Sequence, residues 1–337
     1  MIIKGQHLLS VNDFSVELIN ELFLVAEQMR PYAERMKTTR VLEGAILGNM
    51  FFEPSTRTRV SFGSAFNLLG GAVRETTGMS SSALAKGESL YDTARVLSGY
   101  SDIICMRHPD ALSVAEFATG SSVPVINGGD GPNEHPTQAL LDLFTIQNEL
   151  KAAGKSMESL SLTLMGDLKH GRTVHSLCQL LSLYQGLQIQ LAAPAALSMP
   201  TKYIDMLSNA GHQITETSEL NDALPSANVI YQTRIQEERF DSQQEADSFR
   251  GLYRLNQEVY HKLCQPNAVI MHPLPRDSRS AANELDNDLN QQPGLAIFRQ
   301  TQNGLLVRMA LFACILGVEQ QLSQYERKVN WFTGLTK

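Results

Sequence analysis

Four cysteines in 337 residues, Cys105, Cys178, Cys264 and Cys314, stand far apart and form no C-x-x-C pair. That scarcity argues against a disulfide scaffold and against a metal site, and fits buried, reduced thiols. Basic charge is not in excess either: 28 Lys and Arg against 35 Asp and Glu leave a net charge of −7. A nucleic-acid binder normally carries a broad basic face, so that class is set aside. A small anionic substrate is not, because a few arginines can dominate a cleft in an acidic protein. No membrane span is expected. Residues 176–201 carry no charge, but Gln, Gly and Pro interrupt them and the run breaks near Gly186. The start lacks a basic-then-apolar leader, so a cytoplasmic protein is expected. No G-x-G-x-x-G follows a strand, which argues against a dinucleotide enzyme.

What is present is a chain with 43% hydrophobic and 19% charged residues, long enough for two domains with large cores. Its organising stretch is Phe51-Phe52-Glu53-Pro54-Ser55-Thr56-Arg57-Thr58-Arg59. Residues 45–52 are short and apolar, as in a buried strand. After the stretch, Val60, Phe62, Phe66 and Leu69 recur near helical spacing until Gly70-Gly71. Three hydroxyls and two guanidiniums therefore sit at a strand-to-helix turn. The N–H groups and positive dipole end of a helix start suit an anion. Ser55, Thr56 and Thr58 add donors, and the planar fork of Arg57 matches phosphate oxygens. An ordinary helix cap with solvated arginines is the plainer alternative, and the density of donors speaks against it.

The rest of the chain alternates. Asp13 or Ser15 can cap a first helix whose Leu18, Leu22, Val25 and Met29 share a face. Further strands are expected at 102–106, 123–127, 160–165, 187–192, 213–217, 228–231 and 268–271. Helices are expected at 89–100, 135–153, 173–184, 201–210 and from about Gly304. Residues 236–257 read as a polar loop. The expected fold is α/β, two doubly wound parallel-sheet domains with the active site between them. Six polar clusters fall at strand ends: 55–59, Arg107-His108, 135–138, 166–172, 233–236 and 272–276. Ligands of doubly wound sheets bind there.

These clusters resemble the carbamoyltransferase family, its aspartate-using branch most closely. The resemblance rests on Ser55-Thr56-Arg57-Thr58-Arg59, Met106-Arg107-His108-Pro109, His135-Pro136-Thr137-Gln138, the run from Gly166 to Thr173, and His272-Pro273-Leu274-Pro275-Arg276, all in order. It implies transfer of a carbamoyl group from carbamoyl phosphate to the amine of L-aspartate, a committed step of pyrimidine biosynthesis, with no cofactor and no metal. It implies a carbamoyl phosphate-binding domain over 1–137 plus 303–337 and an aspartate-binding domain over 138–302.

By this resemblance Ser55, Thr56, Arg57 and Thr58 hold the phosphate, and Thr58, Arg107 and His135 polarise the carbonyl oxygen. Gln138 and the backbone at Leu274 and Pro275 hold the carbamoyl NH2, with Leu274 also near aspartate. Arg172 and Arg234 clamp the aspartate carboxylates beside Gln236. Ser82 and Lys86 belong to a loop that enters a neighbouring subunit's site, which implies a homotrimer; a separate regulatory chain is a further possible partner. Ala85 stands where well-known members carry lysine, and residues 319–337 extend beyond the family's usual end.

Two alternatives remain. The ornithine-using branch shares the phosphate turn, but typically shows His-Cys-Leu-Pro and a Ser-Met-Gly loop, neither of which occurs here. Of another class is a nucleotide-binding P-loop, because residues 166–173 read G-x-x-x-x-G-R-T. A P-loop needs lysine where Arg172 stands, and a later strand ending in an Mg²⁺-binding Asp, which is not evident.

Overall fold

The computed structural model describes residues 3–78, 87–240, 242–279 and 282–331. The chain divides into two units, Met1–Leu141 with Gln302–Lys337, and Asp142–Thr301. The first begins with α1 (Val16–Gln28), α2 (Arg30–Ala33) and β1 (Lys37–Thr39). It continues with β2 (Ile46–Phe51), α3 (Thr56–Leu68), β3 (Ala72–Thr77), α4 (Leu90–Ser98), β4 (Ile103–His108), α5 (Ser113–Gly120) and β5 (Val125–Asp130). Helix α6 (Pro136–Ala152) leads into the second unit. There β6 (Ser161–Met165), α7 (Arg172–Leu181), β7 (Gln188–Ala192), α8 (Thr201–Asn209), β8 (Gln213–Thr217) and α9 (Leu220–Ala223) follow. The unit closes with β9 (Val229–Gln232), α10 (Gln243–Ser248), α11 (Gln257–Leu263) and β10 (Val269–Met271). Helix α12 (Ile297–Leu316) returns the chain to the first unit, and β11 (Glu326–Lys328) ends it.

The first unit holds a parallel sheet of order β3-β2-β4-β5. Alternate side chains of a strand face opposite ways. Met50 and Phe52 accordingly pack with Ile104, Met106, Val114 and Phe117 on one face. Phe51 meets Phe62 on the other, and Phe62 and Phe66 both meet Phe312 of α12 edge-on. Helices thus cover both faces, as the near-continuous apolar strands require. The second unit repeats the design with the order β10-β9-β6-β7-β8, all parallel. Met165, Ile230 and Ile270 anchor one of its cores with Leu224, Tyr260 and Leu295. Two parallel sheets flanked by helices are what the alternation of elements predicts.

Some expectations need correction. Ser15 caps α1 by accepting from the Leu18 N–H, whereas Asp13 closes a capping box with Ser10 one turn earlier. Val60 is exposed, because only Phe62, Phe66 and Leu69 keep the i, i+4, i+7 spacing of the buried face. Residues 236–257 are not one loop: a 3-10 turn at Glu237–Arg239 and α10 lie within them. Helix α12 starts at Ile297, seven residues before Gly304, under a polar run that hides its apolar stripe. Edge strand β3 and helix α5 carried no clear signal, and all six residues of β3 are exposed or half-buried. Three cysteines are buried, Cys264 is half-buried, and all four are free.

Residues 322–328 pack on the first unit. Strand β11 pairs antiparallel with β1, Lys37 bridges Glu326 at 2.9 Å, and the Thr39 hydroxyl donates to the Leu322 carbonyl.

Candidate functional site

All six polar clusters leave the carboxyl ends of strands, and within each unit the three strands concerned are neighbours. In the first unit they are β2, β4 and β5; in the second β10, β9 and β6. Each sheet also reverses its direction of growth there. The chain runs from β2 to β3 on one side and then to β4 on the other; it runs from β6 through β7 and β8 and then to β9. Loops diverge at such a switch point and leave a crevice for a ligand.

At the first switch point, Ser55 is the N-cap of α3 in extended conformation, and its hydroxyl makes no capping hydrogen bond. A serine at that position usually spends its oxygen on the helix N–H groups. Here Ser55 and Thr58 are half-buried and Thr56 and Arg57 exposed, around the positive end of a 13-residue helix. Arg107, nearly buried, arrives from β4 and is held by Glu53, Nε to Oε2 at 2.8 Å. Its neighbour His108 serves the turn instead: it packs edge-on against Phe52, and its Nδ1 accepts the Asp110 N–H. Burial lowers the pKa of that imidazole, which keeps the accepting nitrogen bare.

The turn after β5 is built around Asp130, whose carboxylate accepts from Leu112, Asn127, Asn133 and Glu134. Gly131 has φ +53°, and a side chain there would strike the Pro109 carbonyl, so only glycine fits. Glu134 accepts from Ser10 and Val11, which fixes the entry to α6. His135 is therefore delivered buried, with Gln138 half-buried one turn along.

At the second switch point, Gly166 has φ +110°, and an added Cβ would lie 2.4 Å from the Thr233 carbonyl oxygen. Glycine lets the turns after β6 and β9 approach that closely. Asp167, wholly buried, accepts the Gln236 N–H on one oxygen and the His170 N–H on the other, each at 3.0 Å. Arg172 opens α7, and Arg234 donates to the Ile235 carbonyl at 3.0 Å; both are half-buried. His175 donates from Nε2 to the Leu168 carbonyl at 2.8 Å and stacks on Tyr203, with ring centroids 4.3 Å apart. Burial pulls its pKa down to about 4.

After β10, Leu274 adopts φ 57°, a left-handed value disfavoured for a residue with a side chain. Leu274 is half-buried and Pro275 exposed. Glu237, directly after Gln236, receives Arg250 on both oxygens and Arg279 on one.

Ser82 and Lys86 lie outside the described residues. Sequence reasoning gave no role to Glu53, Asp167, Glu284 or Gln300, all acceptors behind the expected site. The one available signal was an acidic residue at a strand's end, as at Asp167. A cavity of about 320 Å³ opens beyond β7 and β8 near Leu191 and Thr217; of the expected clusters only Leu168 reaches its lining, and none of the side chains expected to hold substrate does. Among the described residues no cluster of His, Cys, Asp and Glu suits a metal ion, and no helix is long and apolar enough to cross a membrane.

Donor-rich turns at the switch points of parallel sheets define the class of α/β proteins that hold anionic ligands. Residues 6–148 match the model for the aspartate/ornithine carbamoyltransferase carbamoyl-P binding domain, and residues 158–315 that for the Asp/Orn binding domain. The chain belongs to the aspartate/ornithine carbamoyltransferase family. It is 65% identical over 333 residues to the aspartate carbamoyltransferase catalytic subunit of Saccharophagus degradans, covering 99% of each chain. It is similar to the aspartate transcarbamoylase of Trypanosoma cruzi solved with N-(phosphonacetyl)-L-aspartic acid, with TM-score 0.84 and 35% identity, covering 94% and 97% of the two chains. The catalytic subunit of M. jannaschii aspartate transcarbamoylase matches with TM-score 0.83 and 39% identity, covering 94% and 99%.

Proposed function

We propose that this chain transfers the carbamoyl group of carbamoyl phosphate to L-aspartate, giving N-carbamoyl-L-aspartate and phosphate. The supporting observation is that each unit carries a switch point with its own set of donors. One presents a hydroxyl-rich helix start with Arg57 and Arg107; the other presents two guanidiniums, Arg172 and Arg234. A phosphate suits the first, and a dicarboxylate suits the second better than the ammonium of ornithine does.

In this reading Ser55, Thr56, Arg57 and Thr58 bind the phosphate. Thr58, Arg107 and His135 donate to the carbonyl oxygen, where negative charge grows in the tetrahedral transition state. Gln138 and the backbone at Leu274 and Pro275 orient the carbamoyl NH2. Arg172 and Arg234 each grip a carboxylate, with Gln236 beside Arg234, so the aspartate amine is aimed at the carbonyl carbon. The new N–C bond forms as the C–O bond to phosphate breaks. The electron pair leaves on the phosphate oxygen, which also takes the amine proton.

The first unit is then the carbamoyl phosphate domain and the second the aspartate domain. Ser82 and Lys86 serve the site of a neighbouring copy in a homotrimer, and the reaction is the committed step of pyrimidine biosynthesis in the cytoplasm. A separate regulatory chain is compatible with this reading. Carbamoyl phosphate and L-aspartate supplied together should give N-carbamoyl-L-aspartate and phosphate in equal amounts. Phosphate released without the carbamoylated product would make the protein a hydrolase and contradict the proposal.

A further inference from the structure

Asp142 is wholly buried on α6, one turn beyond Gln138. Its two oxygens serve different elements. Tyr231, at the end of β9 and three residues before Arg234, donates its hydroxyl to one at 2.7 Å. Gln300 of α12 donates its side-chain NH2 to the other at 2.6 Å. With its hydrogens committed to a carboxylate, the Gln300 amide has only one possible sense. Its oxygen faces away and accepts the backbone N–H of His272 at 3.0 Å.

The relay continues through a second buried side chain. His272 accepts the Leu274 N–H on Nδ1 at 2.8 Å and donates from Nε2 to Glu284 at 2.7 Å. An accepting Nδ1 requires a neutral ring, and burial favours that form. Glu284 in turn accepts the N–H of Asp277. Three hydrogen bonds of matched polarity thus run from Asp142 to Leu274, the peptide whose φ of 57° needs outside support. An apolar side chain would fill the place of Asp142 without the desolvation cost of a buried carboxylate. The acid earns its position through direction: as an acceptor it holds the amide hydrogens of Gln300, in agreement with the His272 N–H, which needs the amide oxygen.

We propose that Asp142 and Gln300 are positioning residues of the carbamoyl subsite, fixing the His272–Pro275 backbone whose carbonyls receive the carbamoyl NH2. The inference rests on the functional reading above.

A polarity swap tests it. Asp142→Asn offers one acceptor and one NH2 where the carboxylate offered two acceptors; with Tyr231 still donating, the NH2 faces Gln300, whose amide must flip and present hydrogens to the His272 N–H. Adding Gln300→Glu restores acceptors on both sides while the net charge of the pair is unchanged. Steady-state kcat, KM for each substrate and Tm are measured for the parent, both single variants and the double variant. Expected is a fall of about tenfold or more in kcat/KM for carbamoyl phosphate with Asp142→Asn, carried mainly by KM. The double variant should recover most of it. Gln300→Met, which removes the relay and leaves Asp142 bonded to Tyr231, should behave like Asp142→Asn and guards against a variant that fails to fold. Variants that lose Tm but keep the parent's kcat and KM would reduce the relay to a structural role. A double variant no better than Asp142→Asn would overturn the inference as well. Failure of the functional reading would show differently, as silence in the parent enzyme.

Discussion

Asp167 and Gln236 stand 69 positions apart, and a carboxylate oxygen of the first accepts the backbone N–H of the second at 3.0 Å. The other oxygen holds the N–H of His170, two residues before Arg172. One buried acid thereby fixes the turn that bears Arg172 against the loop that bears Arg234. Asp167→Asn replaces an acceptor with a donor facing an N–H group, at a cost of about 1–3 kcal/mol. The expected outcome is a KM for aspartate raised about tenfold, with a smaller change for carbamoyl phosphate. Equal changes in both would detach Asp167 from the aspartate clamp.

Arg57 stands at the exposed start of α3 beside the uncapped Ser55 hydroxyl. A fixed charged donor at a developing anion contributes about 10²–10³ in rate. Arg57→Ala should therefore lower kcat by that factor while Tm holds. Near-normal turnover would remove the helix start from the mechanism.

Arg234→Ala deletes one of the two carboxylate grips. A hydrogen bond to a charged group contributes about 1.5–3 kcal/mol, so the KM for aspartate should rise about 10- to 100-fold. Binding of carbamoyl phosphate, followed by calorimetry without aspartate, should be unchanged. A parallel loss of both affinities would contradict the assignment.

Most of the fold was legible in the sequence, and the candidate site could be read as candidate because its donors come in consecutive runs at strand ends. Ser55 to Arg59 and His135 to Gln138 advertise themselves as turns into helices, and apolar runs such as 160–165 advertise buried parallel strands. Edge strand β3 was hidden by its exposure, and the start of α12 by Arg299, Gln300 and Asn303. The last concealment is informative, since Gln300 is polar in order to reach Asp142, 158 positions earlier. Supporting acceptors of that kind have no local signature; only the folded chain brings them to the backbone they hold.

His175 supplies a pH dependence. Its folded pKa of about 4 lies below the ordinary 6.5, so the unfolded chain binds the proton first. Its contribution to stability is full above pH 6.5 and is lost as pH falls toward 4. Burial lowers the pKa of His7, His108, His212 and His272 in the same sense. In urea titrations between pH 7 and pH 4.5, His175→Gln should lose stability less steeply than the parent, by up to about 1.4 kcal/mol per pH unit. Identical slopes would show that the imidazole is not held neutral by the fold.

The most direct test of the central claim offers L-aspartate and L-ornithine separately to the purified chain with carbamoyl phosphate. The two guanidiniums at the second switch point predict N-carbamoyl-L-aspartate from aspartate and no citrulline from ornithine. Citrulline formation, or no carbamoylated product from aspartate, would contradict it.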